Sequence, residues 1–482
     1  LRISPSLERR GDPDRVPVDW RRCEPNQPPT TCISCGTSWG RRGDDVSSPI
    51  RTMGTGYYKF SQLLVEQLFK SLSGNQQDSE QASCISFSDS RRDAARFAAE
   101  IELNHYRDTI RGVAESEVTG YSSRLTARRE FIEAVVEDDN DAIETLKPVL
   151  GGDGRAIIAD YHYDRLSVDE LLSRYTRPTI SFHDLSQKIE EHLSEHRIAM
   201  NGFGVEEHRS AIPLWQALLK NSSERSDEDR SQVDTARRHL ARNIGAVITD
   251  SLGRDFESLG LGWLTVDRSR EVPQCVTGTD IDDLYVVIDM TIRFLSFYYR
   301  TRHAQEVGLE QYKFPNYYYE TVHTNPVLRR VLRSEDLAEN NALFRKIREI
   351  LMHYGVVDDR LRVQRENLYI HLPGDSFWSC DNCRAIHMFH ADGQCRTIKY
   401  RQQCDGTLHE RPIEELTARS NYYKDFLRED RHLYPIRTAE IIGHTPPPEQ
   451  RTRQLAFQGK FLNRDITPQL ADALKLDLLS VT

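Results

Sequence analysis

Four cysteines of this chain, Cys380, Cys383, Cys395 and Cys404, fall within 25 residues in the pattern C-x2-C-x11-C-x8-C. Four thiolates complete the tetrahedral shell of a Zn²⁺ ion, and a C-x2-C pair reaches one ion from a single tight turn. Gly393 precedes the third cysteine and Gly406 follows the fourth, where such turns use free backbone. His387 and His390 lie between the pairs and are alternative ligands, but four thiols already fill the count. Buried free cysteines are the competing reading. The pattern therefore predicts a zinc-binding module.

A weaker group sits near the start, where Cys32-Ile33-Ser34-Cys35 forms a knuckle and Cys23 offers a third thiol. No fourth cysteine lies nearby, so the group is either a partial zinc site or a loop with free thiols. Cys84 and Cys275 read as structural. No signal-peptide core precedes these residues, and nine cysteines in such a chain point to metal rather than disulfides.

A second feature is the run Cys84-Ile85-Ser86-Phe87-Ser88-Asp89-Ser90-Arg91-Arg92-Asp93-Ala94-Ala95. The apolar stretch from Cys84 to Phe87 suits a short parallel strand, and Ser90-x-x-Asp93 is a capping box for a following helix. Ala94, Phe97, Ala98 and Ile101 recur at i, i+3, i+4 and i+7, which gives that helix one face for a sheet. Ser88, Asp89, Arg91 and Arg92 then sit at the carboxyl end of the strand, where ligands bind open α/β sheets.

The phrase Phe87-Ser88-Asp89-Ser90-Arg91-Arg92-Asp93-Ala94 resembles the signature opening the second RecA-like domain of large superfamily 2 DEAD/DEAH-type helicases. These include the helicase subunits of bacterial antiphage systems such as Druantia and DISARM, and relatives of the MrfA repair helicase. Pro49 to Tyr57 with Gln62-Leu63-Leu64 is similar to the segment before that strand in the family. Arg437 to Thr445, then Asp477 to Thr482, is similar to the return into the same domain, with Leu478 to Thr482 opening motif V. The four-cysteine region resembles the zinc module of the MrfA-type proteins. The resemblance implies that Ser88, Arg91, His444, Thr445, Ser480 and Thr482 grip the backbone of a single DNA strand, and that the chain works in bacterial antiphage defence.

ATP chemistry needs a phosphate loop of the G-x-x-x-x-G-K-[ST] kind and an acidic pair for Mg²⁺, and the chain has no such loop. Asp169-Glu170 belongs to a serine-capped amphipathic helix instead. Motif VI of the family would follow Thr482. ATP and Mg²⁺ are thus expected only with a first RecA-like domain, supplied in cis or in trans. No G-x-S-x-G elbow, H-E-x-x-H pair or deaminase signature is present.

Hydrophobic residues make up 38% and charged residues 29%, which suits an ordered chain of about three domains. No run of 18 apolar residues exists, so no membrane partner is expected, and a cytoplasmic location follows. A net charge of −10 excludes a uniformly basic nucleic-acid binder and confines any such contact to a local patch.

The expected order is a linker with the partial knuckle over 1–48, the first part of a RecA-like domain over 49–110 and a helical insertion over 111–275. A winged-helix-like module follows over 276–375, the zinc module over 376–430, and the second part of the RecA-like domain over 431–482. Within the insertion, Leu284 to Tyr299 reads as a buried helix, and Phe344, Ile347, Leu351 and Tyr354 as an amphipathic one stopped by Gly355. Leu361 and Val363, then Leu368, Ile370 and Leu372, alternate like a hairpin. Arg345, Arg348, Arg360, Arg362 and Arg365 could meet phosphates there, with ordinary solvated arginines as the competing reading, and Tyr317-Tyr318-Tyr319 could stack on bases, though packing is the better reading for these rings.

The expected fold is therefore α/β: a RecA-like parallel sheet interrupted by a large, mainly helical insertion with a winged-helix-like part and a four-cysteine zinc module. The expected function is the C-terminal motor segment of an ATP-dependent DNA helicase, acting with DNA, a first motor domain and other defence-system subunits. The alternative is a non-catalytic, zinc-stabilised nucleic-acid-binding scaffold or helicase partner subunit.

Overall fold

A computed structural model describes residues 41–42, 45–46, 57–73, 83–87, 91–163, 165–200, 208–249, 254–271, 284–286, 288–293, 349–356, 364–395, 397–399, 402–418, 435–461 and 466–482. Cys23, Cys32, Cys35, Cys275, Ser88, the Pro49 segment up to residue 56, the three tyrosines at 317–319, and Arg345, Arg348, Arg360 and Arg362 lie outside the described residues. The chain divides into two compact units, Leu1–Phe60 and Ser61–Thr482. In the first, β1 (Arg41–Arg42) pairs antiparallel with β2 (Asp45–Val46).

The second unit opens within α1 (Tyr57–Ser73), followed by β3 (Cys84–Phe87) and the 46-residue α2 (Arg91–Val136). Ala94, Phe97, Ala98 and Ile101 of α2 are all buried, as their helical spacing predicts. No proline interrupts residues 91–136, so the helix continues well past residue 110. Asp139 caps α3 (Asn140–Leu150) by accepting the Ala142 amide, and Gly151, at φ +54°, turns the chain into α4 (Gly152–His162). Ser167 and Glu170 close a reciprocal capping box on α5 (Val168–Tyr175), the serine-capped helix expected there.

Next come β4 (Thr179–Ser181), α6 (Phe182–Glu195), α7 (His208–Leu219), α8 (Asp227–Ile248), α9 (Phe256–Leu259) and β5 (Trp263–Thr265). Helical turns at 284–286, 288–293 and 349–353 lead to β6 (Tyr369–His371). Leu284, Tyr285, Ile288, Met290 and Ile292 are buried, matching the all-round apolar pattern read for that stretch. The chain ends through β7 (Ser376–Cys380), β8 (Ile386–His387), β9 (Ile398–Lys399), β10 (Gln402–Gln403), β11 (Leu408–Pro412), α10 (Ile413–Thr417), β12 (Thr438–Ile441), α11 (Pro447–Phe457), α12 (Pro468–Leu474) and β13 (Leu478–Val481).

The chain is thus mixed α/β with a small parallel sheet ordered β12-β13-β3. Leu478 to Val481 pairs in register with both Thr438 to Ile441 and Cys84 to Phe87, joining strands from opposite ends of the second unit. Ala439, Ile441, Leu479 and Val481 pack with Ala456 and Phe457 of α11 on one face. On the other face the Thr438 hydroxyl donates to the Ala98 carbonyl of α2. Covering both faces of the central strand is the normal state of a parallel sheet.

One continuous buried cluster runs from Tyr106 on α2 to Leu416 on α10 and includes Cys380 and Cys395. At its centre, β6 lies between β4 and β5, antiparallel to both. The winged-helix hairpin expectation is not borne out among the described residues: Leu361 and Val363 lie outside them, and β6 uses both hydrogen-bonding edges on β4 and β5. Arg365 to Asn367 is a short 3₁₀ turn rather than a hairpin loop. Gly355 does end its helix, in the left-handed conformation at φ +71°.

Candidate functional site

The four cysteines are delivered by short β-structure. Cys380 closes β7, and β8 folds back on β7 with Trp378 opposite His387, so Asp381 to Cys383 is the turn of a hairpin. In that turn the Cys383 amide donates to Cys380 Sγ at 3.4 Å, the Arg384 amide donates to the Cys380 carbonyl at 3.2 Å, and Arg384 takes φ +60°. Cys404 follows the β9–β10 ladder, its amide donating to the Thr397 carbonyl at 2.9 Å, and the Gly406 amide donates to Cys404 Sγ at 3.4 Å. Cys395 leaves the 3₁₀ turn Ala391–Gly393, its amide donating to the Gly406 carbonyl at 2.9 Å.

The two glycines serve different ends. Gly393 supplies a positive φ of +72°. Gly406 supplies empty space, because a methyl there would overlap the Cys380 sulfur and crowd Asn382 and Asp381.

All four sulfurs lie within 4.8 Å of one another, with Cys380 Sγ to Cys404 Sγ at 3.7 Å and Cys383 Sγ to Cys395 Sγ at 3.5 Å. Thiolates about 2.3 Å from a tetrahedral ion sit roughly 3.8 Å apart, whereas a disulfide needs about 2.05 Å. These are therefore free thiols placed to hold a metal ion. Burial pushes the Cys380 thiol up to about 11, and the hydrogen bond to Cys395, with burial behind it, raises Cys383. The same bond from Cys383 lowers Cys395, and His387 adds to it. A bound cation would supply the charge that favours four thiolates here, with proton release on binding.

The histidines sort themselves by burial. His390 is exposed and meets the Trp378 ring edge-on at 6.2 Å between centroids. His387 is fully buried with Nε2 3.5 Å from Cys395 Sγ, and the four sulfurs by themselves make up the clustered ligand set. Sequence reasoning treated both as spare ligands and missed this contact.

The second candidate region is the carboxyl edge of the parallel sheet. Register places Phe87, Val481 and Ile441 side by side at the strand ends. Ser88 follows Phe87 in sequence, and Arg91 is the first residue of α2. After β12 the chain makes a tight turn: the Thr445 amide donates to the Ile442 carbonyl at 2.8 Å, and the Ile442 amide donates to Thr445 Oγ1 at 3.0 Å. Gly443 and His444 are exposed at the tip, and α11 starts immediately beyond. Thr482 is exposed, its amide donating to the Ile441 carbonyl at 3.2 Å.

Two of the expected grip residues are buried. Ser480 is fully buried within the central strand, and its hydroxyl has no partner among the described residues. Thr445 is largely buried, and its hydroxyl oxygen is engaged in closing the turn, so it shapes the tip that presents Gly443 and His444.

The opposite edge of the sheet is charged and closed. The Thr438 amide donates to Glu102 at 3.1 Å, and the Thr438 hydroxyl oxygen lies 2.9 Å from the same carboxyl oxygen. Asp477 accepts the Arg437 amide at 2.8 Å. Burial pushes Glu102 up to about 7 and Asp477 up to about 6, against the pull of the Arg437 guanidinium. Neither acid was singled out by sequence, since nothing local marks a carboxylate that will be buried.

Among the described residues, no helix is long and apolar enough to cross a membrane. Comparison with models of protein families, with curated proteins and with solved structures finds no match to this chain.

Proposed function

We propose that the chain is the nucleic-acid-gripping part of an ATP-dependent DNA helicase or translocase, a RecA-like domain with a large insertion, and that its four cysteines hold a structural Zn²⁺ ion. One observation carries the motor reading: three in-register parallel strands end together, and the exposed 443–444 tip, Thr482 and the start of α2 lie at or directly follow those ends. Ligands of open parallel sheets bind at that edge. Backbone amides and small hydroxyls there suit phosphate oxygens, a grip that holds a strand without reading its sequence. Arg91 and Arg92 at the head of α2 bring positive charge to an otherwise acidic chain.

Zinc is the metal that an all-sulfur, tetrahedrally spaced set suits best in a site with no open position. Its role is to hold β7 to β11 together, since these short ladders carry little stability of their own. ATP and Mg²⁺ belong to a first RecA-like domain that presents the phosphate loop. Closure of the two domains on ATP would move the strand held at the sheet edge. The antiphage setting rests on the sequence resemblance alone.

The alternative is a zinc-stabilised scaffold that binds nucleic acid or a helicase subunit without driving it. DNA-stimulated ATP hydrolysis by the native protein, with and without the 482-residue segment, separates the two. Loss of DNA-stimulated turnover on removal of the segment is the motor result; unchanged turnover, or none in the native protein, contradicts it.

A further inference from the structure

We propose that His387 is an outer-shell donor to the metal centre, a positioning residue locked in one orientation by Arg293 and Glu257, and that this chain of contacts sets how tightly the four thiolates hold their ion. The inference rests on the metal reading above and adds a residue to it.

A guanidinium only donates hydrogen bonds. Arg293 Nη1 makes its closest approach to His387 at Nδ1, and the same nitrogen lies 3.2 Å from Nε2. Nδ1 accepting from this donor-only group corresponds to the neutral tautomer with its ring proton on Nε2. That nitrogen is the one 3.5 Å from Cys395 Sγ. The sulfur, as a thiolate, is the acceptor, so the ring points an N–H at a metal ligand rather than a lone pair at the metal.

Arg293 is itself fixed. Its Nε lies 3.0 Å from Glu257 Oε1, and the other oxygen of Glu257 accepts the Met388 amide at 3.3 Å. One carboxylate on α9 thus anchors both the arginine and the backbone beside the histidine. His387, Glu257 and Cys395 are all buried, so each polar group needs its neighbour to offset lost hydration. Outer-shell partners of this kind orient ligands, and losing one costs about 10–100-fold in metal affinity.

The test uses the full chain loaded with zinc, titrated against a competing chelator, alongside a cobalt-substituted sample read by its thiolate-to-metal absorption. Wild type should bind one ion with four-sulfur absorption. H387F should keep that absorption and lose about 10–100-fold in zinc affinity. H387Q, whose amide N–H can still reach the sulfur, should stay within about threefold of wild type, and R293M should fall toward H387F. If H387F does not fold, H387Q against R293M carries the same comparison.

Wild-type zinc affinity in both H387F and R293M overturns the proposal and leaves His387 as packing. A cobalt spectrum that loses a nitrogen ligand in H387F also overturns it, by making His387 a ligand. Failure of wild type to bind zinc defeats the metal reading itself, and is seen before any variant is compared.

Discussion

At the scale of single residues, the four-cysteine cluster is the part of this protein most plainly written in its sequence. Ligand type, number and spacing all sit within one short stretch, and the sulfurs do converge. What the stretch does not reveal is who stands behind the ligands. His387 faces a sulfur because Arg293 and Glu257, far away in sequence, hold it there. Gly406 looked like a turn residue, yet its place is fixed by the Cys380 sulfur, which occupies the space a Cβ would need. Gly406→Ala is therefore expected to weaken zinc binding by at least about 10-fold, as measured by chelator competition, because the new methyl must displace a ligand. An alanine variant with wild-type affinity would show that the hairpins shift without cost.

At the scale of elements, local pattern was reliable wherever an element is defined by its own residues. The stripe on α2 and the serine cap of α5 are examples. It failed where pairing partners are remote. Leu368 to Leu372 alternates like any strand, and nothing in it says that Thr179–Ser181 and Trp263–Thr265 will occupy its two sides. The close fit of that sheet makes Gly262→Ala costly: the residue sits at φ +137°, and a methyl would collide with the His371 carbonyl. Chemical denaturation should show a loss of about 3 kcal/mol or more.

The parallel sheet makes a pH prediction at the same scale. Glu102 titrates near 7 when folded, against an ordinary value of 4.5, because burial disfavours its charge. Protons then bind the folded chain more tightly than the unfolded one, so this residue's contribution is full below about pH 4.5 and is lost as pH rises toward 7. Asp477, at about 6, acts in the same direction. Glu102→Gln keeps an oxygen for Thr438 and removes the charge. Urea melts should find it on the order of 2 kcal/mol more stable than the parent at pH 8 and little changed at pH 5. A gap that is constant with pH would refute the assignment.

At the scale of the whole molecule, composition and charge set limits that the fold then fills. An acidic chain can hold DNA only at a local site, and the sheet edge is the candidate whose geometry suits a backbone grip. The most direct test is binding of a labelled single-stranded oligonucleotide to the zinc-loaded chain, followed by anisotropy across a salt series. Two variants accompany it: His444→Asp at the exposed tip of the edge, and Val149→Asp at an exposed position on α3. The account predicts salt-sensitive binding that His444→Asp weakens by about 10-fold or more while Val149→Asp leaves it near wild type. No binding by the folded, zinc-loaded chain at low salt, or equal weakening by both variants, would contradict it.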